Sequence, residues 1–141
     1  MSTRTGRPFP QETPAEFAGH IEGLLRGEFV VPRCRPCDAV QWPPRTVCGR
    51  CAGTEFEQVA LGELRGEVTT WTIVRRAFHP WFADRVPYGV AVVSTTAGLR
   101  LTGWYAGPEV DTLRAGLPVQ GSVESLGDAP ALVWRPGQVE R

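Results

Sequence analysis

The chain contains no lysine at all; each of its fifteen basic residues is an arginine. That absence excludes a Schiff-base or general-base lysine anywhere in the protein. No excess of basic charge is present either, because fifteen acidic residues bring the formal net charge to zero. Nucleic-acid binders usually carry a strong basic surplus, so the balance weighs against one. No apolar run approaches the length of a membrane span. The N-terminal stretch MSTRTGRPFPQETP is polar and proline-rich, without the apolar core of a signal peptide, which points to a cytoplasmic setting where thiols stay reduced. Titratable catalysts are scarce too. Only two histidines occur, His20 and His79, and no serine sits in a nucleophile-elbow or triad-like motif.

What the chain does have is four cysteines, Cys34, Cys37, Cys48 and Cys51, arranged as two C-x-x-C pairs separated by ten residues. Each pair lets two thiolates converge from one tight turn, and two such knuckles supply the four soft ligands of a closed tetrahedral site. Two disulfides would need an oxidising compartment, and a thioredoxin-like centre would want a helix after one pair, which neither shows. The expected metal is structural zinc, although a knuckle pair of this kind also holds iron. Using every cysteine as a ligand leaves no free thiol.

Sixteen glycines and thirteen prolines cut the chain into short elements, as in a small all-β fold. Residues 1 to 12 read as a flexible arm. Thr13-Pro14-Ala15-Glu16 has the form of a capping box, with Thr13 as N-cap, Pro14 at the first helical position and Glu16 reaching back. Phe17, Ile21, Leu24 and Leu25 then form one apolar stripe ended by Gly27, and packing on the chain's own metal module or barrel is expected for it. His20, beside the stripe, is expected to be exposed. The segment from 28 to 61 reads as a ribbon: an extended stretch, two knuckles around Gln41-Trp42-Pro43-Pro44-Arg45, and a short strand near Phe56 to Val59. It has few large apolar residues, so it is expected to be a metal-stapled appendage. Zinc binding contributes about 10 to 16 kcal/mol in small metallo-domains and can stand in for a core.

Residues 62 to 136 change to longer strands, over Leu64–Ala77, Tyr88–Thr95, Leu99–Ala106, Leu117–Ser125 and Ala131–Arg135, with a tail from 137 to 141. The first is long and is expected to bend at Gly66. Five such strands predict a mainly β protein whose second part is an OB-type barrel, with a small open sheet as the competitor.

Arginine is the better functional candidate. Arg75 and Arg76 end the long strand, and Arg33, Arg35, Arg45 and Arg50 punctuate the ribbon, so folding could gather guanidinium forks at the join; Arg75, Arg76 and Arg45 are the candidates for binding phosphate. The loop Phe78-His79-Pro80-Trp81-Phe82-Ala83-Asp84 has two readings. His79 is a weak candidate for acid-base catalysis, lacking a nucleophile beside it; Phe78, His79, Trp81 and Phe82 are better candidates for a partner interface. With Trp71, Tyr88, Trp104 and Tyr105 they make an aromatic-rich surface of the kind on which OB folds stack single-stranded bases.

The order helix, four-cysteine ribbon, then barrel resembles the rubredoxin-like zinc-ribbon plus OB-fold family of acyl-CoA metabolism. The likeness rests on Cys34 and Cys37 with Trp42-Pro43-Pro44-Arg45, on Cys48-Gly49-Arg50-Cys51, and on Gly66-Glu67-Val68-Thr69-Thr70-Trp71-Thr72-Ile73-Val74. Further matches are Arg76-Ala77-Phe78-His79-Pro80, Val86-Pro87-Tyr88 and Arg114-Ala115-Gly116-Leu117-Pro118-Val119. The family's helix commonly carries a Phe-Trp pair where this chain has Phe17-Ala18, so a contact resting on that tryptophan is not carried over. The resemblance implies a non-catalytic accessory subunit, sharing an acyl-CoA thioester site with a thiolase-fold or lipid-transfer-type partner. Such complexes include retro-aldolases and thiolases of steroid or lipid side-chain breakdown. The competing expectation is a zinc-ribbon and OB-fold protein that binds single-stranded nucleic acid.

Overall fold

The computed structural model describes Arg7 and residues 12 to 137. A 3-10 turn, Ala15–Phe17, leads into helix α1, Ala18–Leu25. The capping box does not form. Pro14, extended at φ −54° and ψ 148°, takes the N-cap position, with no side-chain cap bond, and the turn is closed by Phe17 N donating to Pro14 O at 2.9 Å. At the other end Gly27 stops the helix as expected. Its φ of 83° is a left-handed conformation that a side chain would strain. There Gly27 N donates to Leu24 O and Glu28 N to Gly23 O, the paired closure of a Schellman motif. Two turns make a narrow stripe: Leu24 packs against the core, whereas Leu25 is 67% exposed.

Strands β1, Phe29–Cys34, and β2, Phe56–Leu61, form an antiparallel ribbon in the register Phe29 opposite Leu61 to Cys34 opposite Phe56. The knuckles lie between them. Five more strands close a barrel: β3, Leu64–Val74; β4, Tyr88–Thr95; β5, Arg100–Tyr105; β6, Pro118–Leu126; and β7, Ala129–Pro136. Their spatial order is β3-β4-β5-β7-β6, with β5 and β7 parallel and the other neighbours antiparallel. This is the OB topology, and the open-sheet alternative falls away.

Strand β3 carries a register shift against β4 between Val68 and Thr70, and Gly66 lies where the Ser94 carbonyl on β4 would meet any Cβ. Gly89, Ala91, Val93 and Thr95 alternate inward along β4. Trp134, fully buried on β7, lies flat across two glycines; a Cβ on Gly103 would stand 2.7 Å from its Nε1 and one on Gly121 2.6 Å from its six-membered ring.

The ribbon has no core of its own, as expected, but it is joined to the barrel more closely than an appendage. Phe29 and Val31 of β1 belong to the same buried cluster as Val68, Val93, Leu101, Val119 and Trp134 of the barrel, and Trp42, Val59 and Leu61 pack against it. The large apolar residues that the ribbon contributes are few, but they are spent on the joint. Of the N-terminal arm, only Arg7 and Glu12 fall among the described residues. Arg7 is tied to the β6–β7 hairpin: its N donates to Asp128 Oδ1, its Nε to Leu126 O and its Nη2 to Pro130 O, at 3.0, 2.8 and 2.6 Å.

Candidate metal centre and barrel surface

The knuckles are built alike. In each, the residue after the second cysteine, Asp38 or Ala52, has a φ of 62°, and its N–H closes on the carbonyl of the first cysteine, Cys34 or Cys48. The next residue returns the contact, Cys34 N donating to Ala39 O and Cys48 N to Gly53 O, both at 2.8 Å. Each turn therefore points its two side chains to one place.

All four Sγ atoms lie within 4.8 Å of one another, with Cys34 to Cys51 at 3.5 Å and Cys37 to Cys48 at 3.7 Å. A tetrahedral zinc with Zn–S bonds of about 2.3 Å needs sulfur separations of about 3.8 Å, so the residues fit the ion. All four positions are filled by protein, which makes the site structural. Cys34 and Cys48 are buried and Cys51 is exposed.

Electrostatics inside the site are uneven. Burial pushes the Cys34 thiol up to about 12, whereas the backbone amides of Cys51 and Arg50 hold Cys48 down at about 6. Arg50 N stands 3.3 Å from Cys48 Sγ, and Gly53 N stands 3.4 Å from Cys51 Sγ. N–H donors of this kind spread the charge of a thiolate and aim its lone pairs at the metal. Gln41 adds a donor the sequence reading missed. Buried at 8% exposure, it sends Nε2 to Cys48 Sγ at 3.3 Å and accepts Gly49 N on Oε1 at 3.3 Å, fastening the inter-knuckle loop to the second knuckle. An amide between two cysteine pairs, next to Trp42, was the available signal.

His20 is buried, not exposed. Its Nδ1 donates to Val30 O at 2.8 Å, and its ring packs on Phe29 and Trp42 with centroids 4.9 and 4.5 Å away, which joins α1 to β1 and the inter-knuckle loop. Desolvation lowers its pKa below the ordinary 6.5 despite the carbonyl partner.

The candidate arginines do not converge. Arg33 is ion-paired with Glu57 across the ribbon. Arg45 lines a groove of about 370 Å³ between the ribbon, at Pro32, Phe56 and Gln58, and the start of the helix, at Ala15, Glu16 and Gly19. Arg75 lines a different one, of about 680 Å³, at the barrel end with Arg85, Tyr88, Trp104 and Asp111. Arg76 stands over the Phe78 ring at 5.7 Å.

The aromatic loop splits in two. Phe78 is 85% exposed, whereas Trp81 is only 7% exposed, with Arg85 stacked 3.5 Å over its ring. Phe82, Tyr88 and Trp104 form a stack, the last two 4.6 Å apart at 14°. His79 Nδ1 accepts Trp81 N at 3.1 Å and so caps the 3-10 turn Pro80–Phe82. No helix among the described residues is long and apolar enough to cross a membrane.

Comparison with known proteins agrees with this geometry. A protein of Methanocaldococcus jannaschii described as a "DUF35 domain-containing scaffold protein" is 32% identical over 89 residues, 62% of this chain and 62% of the relative. A "Probable enoyl-CoA hydratase alpha subunit" of Thermomonospora curvata is 30% identical over 99 residues, 70% of this chain but 30% of that protein. The chain thus spans less than two thirds of either curated relative. A chain of the solved "Ltp2-ChsH2(DUF35) aldolase" superposes with a TM-score of 0.78 at 26% identity, over 90% of this chain and 98% of that one. Residues 22–57 match the ChsH2 rubredoxin-like zinc-ribbon domain and residues 58–124 the ChsH2 C-terminal OB-fold domain, and on these two consecutive matches the chain belongs to the ChsH2 family of zinc-ribbon and OB-fold proteins.

Proposed function

We propose that this chain is a non-catalytic accessory subunit of an acyl-CoA-processing complex, working in the cytoplasm beside a thiolase-fold partner of the lipid-transfer type. The observation that carries the reading is its near full-length likeness to a chain of an Ltp2–ChsH2(DUF35) aldolase, with the zinc ribbon and the barrel both included. Retro-aldol removal of a side chain from a steroid or other CoA-linked substrate is the reaction of first choice, and thiolysis the second. The chain's own inventory supports a supporting role: its thiols are grouped as metal ligands, and His79 uses one ring nitrogen to cap a turn.

Arg75, with Arg85, Tyr88 and Trp104 along one groove, offers guanidinium forks and ring faces for the phosphates and adenine of a CoA ester. Arg76 stands two residues before the exposed Phe78 and serves the rim, while Arg45 belongs to the ribbon and would meet CoA only as the partner closes over it. The nucleic-acid reading is weakened by the formal net charge of zero, since binding a strand of phosphates calls for a basic surplus.

Co-expression with the thiolase-fold protein of the same source tests the proposal. A stable complex that cleaves acyl-CoA substrates, with no turnover by this chain alone, is expected. Turnover by the isolated chain that is lost in His79→Ala, or tight and salt-sensitive oligonucleotide binding without complex formation, would overturn it.

A further inference from the structure

Strand β3 leaves the barrel halfway along its length. Leu64 to Glu67 pair with β6 on one side, and the last bonds on that side run from Val68 N to Leu117 O and from Gly116 N to Val68 O. From Thr70 to Val74 the strand pairs with β4 alone, and among the described residues no backbone group meets its other edge from Thr69 onward. Thr69, Thr70, Trp71 and Thr72 are all exposed, so consecutive side chains on both faces of the strand reach solvent.

The sequence of that edge is Thr69-Thr70-Trp71-Thr72-Ile73-Val74, without charge, proline or glycine and composed entirely of strong strand formers. Exposed edges are ordinarily defended by charged residues, proline, bulges or a covering element. Here the bulge at Val68–Thr70 lies at the base of the free stretch, and beyond it Thr70 to Val74 run in regular register with β4. A row of unpaired N–H and C=O groups on such a segment is a template for another strand.

We propose that an extended segment of the partner enzyme adds to the outer edge of β3 between Thr69 and Val74, as a sixth strand continuing the sheet. Resting on the accessory-subunit reading, this gives the partner's mode of attachment. The segment should carry an acidic residue at the end that meets Arg75 and Arg76. The connection from Arg75 to Pro87 holds three arginines against one carboxylate, Asp84, and no acidic residue stands between Glu67 and Asp84. A second copy of the chain fits less well. Antiparallel self-pairing centred on Thr72 sets Trp71 opposite Ile73 but brings Thr69, not a carboxylate, opposite Arg75. The register that would bring Glu67 there is closed, since β6 already holds that edge at Pro118.

Hydrogen–deuterium exchange resolved by residue, on the full zinc-loaded chain alone and in complex with the co-expressed thiolase-fold protein, tests the inference. In the free chain the amides of 69 to 74 that face β4 should exchange slowly and those facing outward quickly. In the complex the outward amides should slow on the order of tenfold or more. The double charge reversal Arg75→Glu with Arg76→Glu should weaken the complex about tenfold while zinc content and melting temperature stay unchanged. A complex that forms without new protection at 69 to 74 overturns the strand addition and leaves the accessory role standing. Failure to form any complex overturns the accessory reading itself. Protection that rises with concentration in the absence of the partner assigns the edge to a second copy and overturns the partner strand, and unaltered affinity after charge reversal refutes the acidic match.

Discussion

Gln41→Leu should loosen the metal without emptying the site. The substitution keeps side-chain bulk but deletes two contacts: the Nε2 donor 3.3 Å from Cys48 Sγ and the Oε1 acceptor 3.3 Å from Gly49 N. The two losses differ in weight. Gly49 is exposed, so its amide can turn to water, whereas Cys48 is 3% exposed and its sulfur has no such replacement. A hydrogen bond to a charged group contributes about 1.5 to 3 kcal/mol, and removing an outer-shell partner of a metal ligand typically weakens metal binding about 10- to 100-fold. Since 1.4 kcal/mol corresponds to about tenfold, both routes give the same range. Arg50 N still reaches Cys48 Sγ at 3.3 Å, so complete loss is not expected. Competition for zinc against a chromophoric chelator reads the affinity directly. A Gln41→Leu protein within about twofold of the parent would refute the bond's role in metal binding.

Chelating the metal should unfold ribbon and barrel in one transition, followed by far-UV and tryptophan signals together, because Phe29 and Val31 of the ribbon sit in the barrel core. Burial holds the His20 pKa below 6.5, so the unfolded chain takes up a proton there before the folded one does; its contribution to stability is full above about 6.5 and is lost as the pH falls through that value toward the folded pKa. His20→Gln should flatten this part of the pH–stability curve, measured as the denaturation midpoint in saturating zinc. Gly103→Ala should cost about 1 to 3 kcal/mol by denaturant titration, since its Cβ would lie 2.8 Å from Leu132 O and 2.7 Å from Trp134 Nε1. Phe78→Ala, at a residue 85% exposed, should leave the melting temperature unchanged and weaken the partner complex by about 2 kcal/mol, whereas Trp81→Ala, at a residue 7% exposed, should lower the melting temperature; equal effects of the two on melting would refute the split.

The metal site was legible because its information is local. Two C-x-x-C pairs dictate two turns, and four sulfurs at the right spacing admit few other geometries. Strand positions in the barrel were legible for a similar reason: alternation and glycine turns are read over a few residues, so all five strands fell within two or three residues of their bounds. What the sequence hid was non-local. Gly66 read as a hinge because a strand glycine has two uses, bending or close approach, and the close approach found there is made by Ser94, almost thirty residues on. His20 read as exposed because a histidine beside an apolar stripe is polar on paper. Its burial depends on Val30 O and the Trp42 ring, which the fold brings to it from β1 and the inter-knuckle loop. The arginines failed differently, since charge in a sequence carries no direction: Arg33 found Glu57 across the ribbon, and Arg75 and Arg45 line separate grooves.

The position of β1 ties the metal to the barrel mechanically. Its first residues, Phe29 and Val31, are in the barrel core, and its last residue, Cys34, is a fully buried ligand, so six residues of one strand connect the two. A strand of that length spans about 20 Å and is stiff as long as its partner β2 holds register. Without metal, the raised thiol of Cys34 would be neutral and the two knuckles would be held by their turns and by the hydrogen bonds of Gln41 to Cys48 and Gly49. The loop of Gln41 and Trp42 would lose the anchor of a ligated Cys48, and Trp42 is one of the rings enclosing His20. Loss of the ion therefore propagates along β1 into the core and through Trp42 into α1. That coupling explains why a barrel with its own apolar interior keeps a four-cysteine site. The ion, held at the end of a strand that starts in the barrel core, therefore ties ribbon, helix and barrel into one cooperative unit.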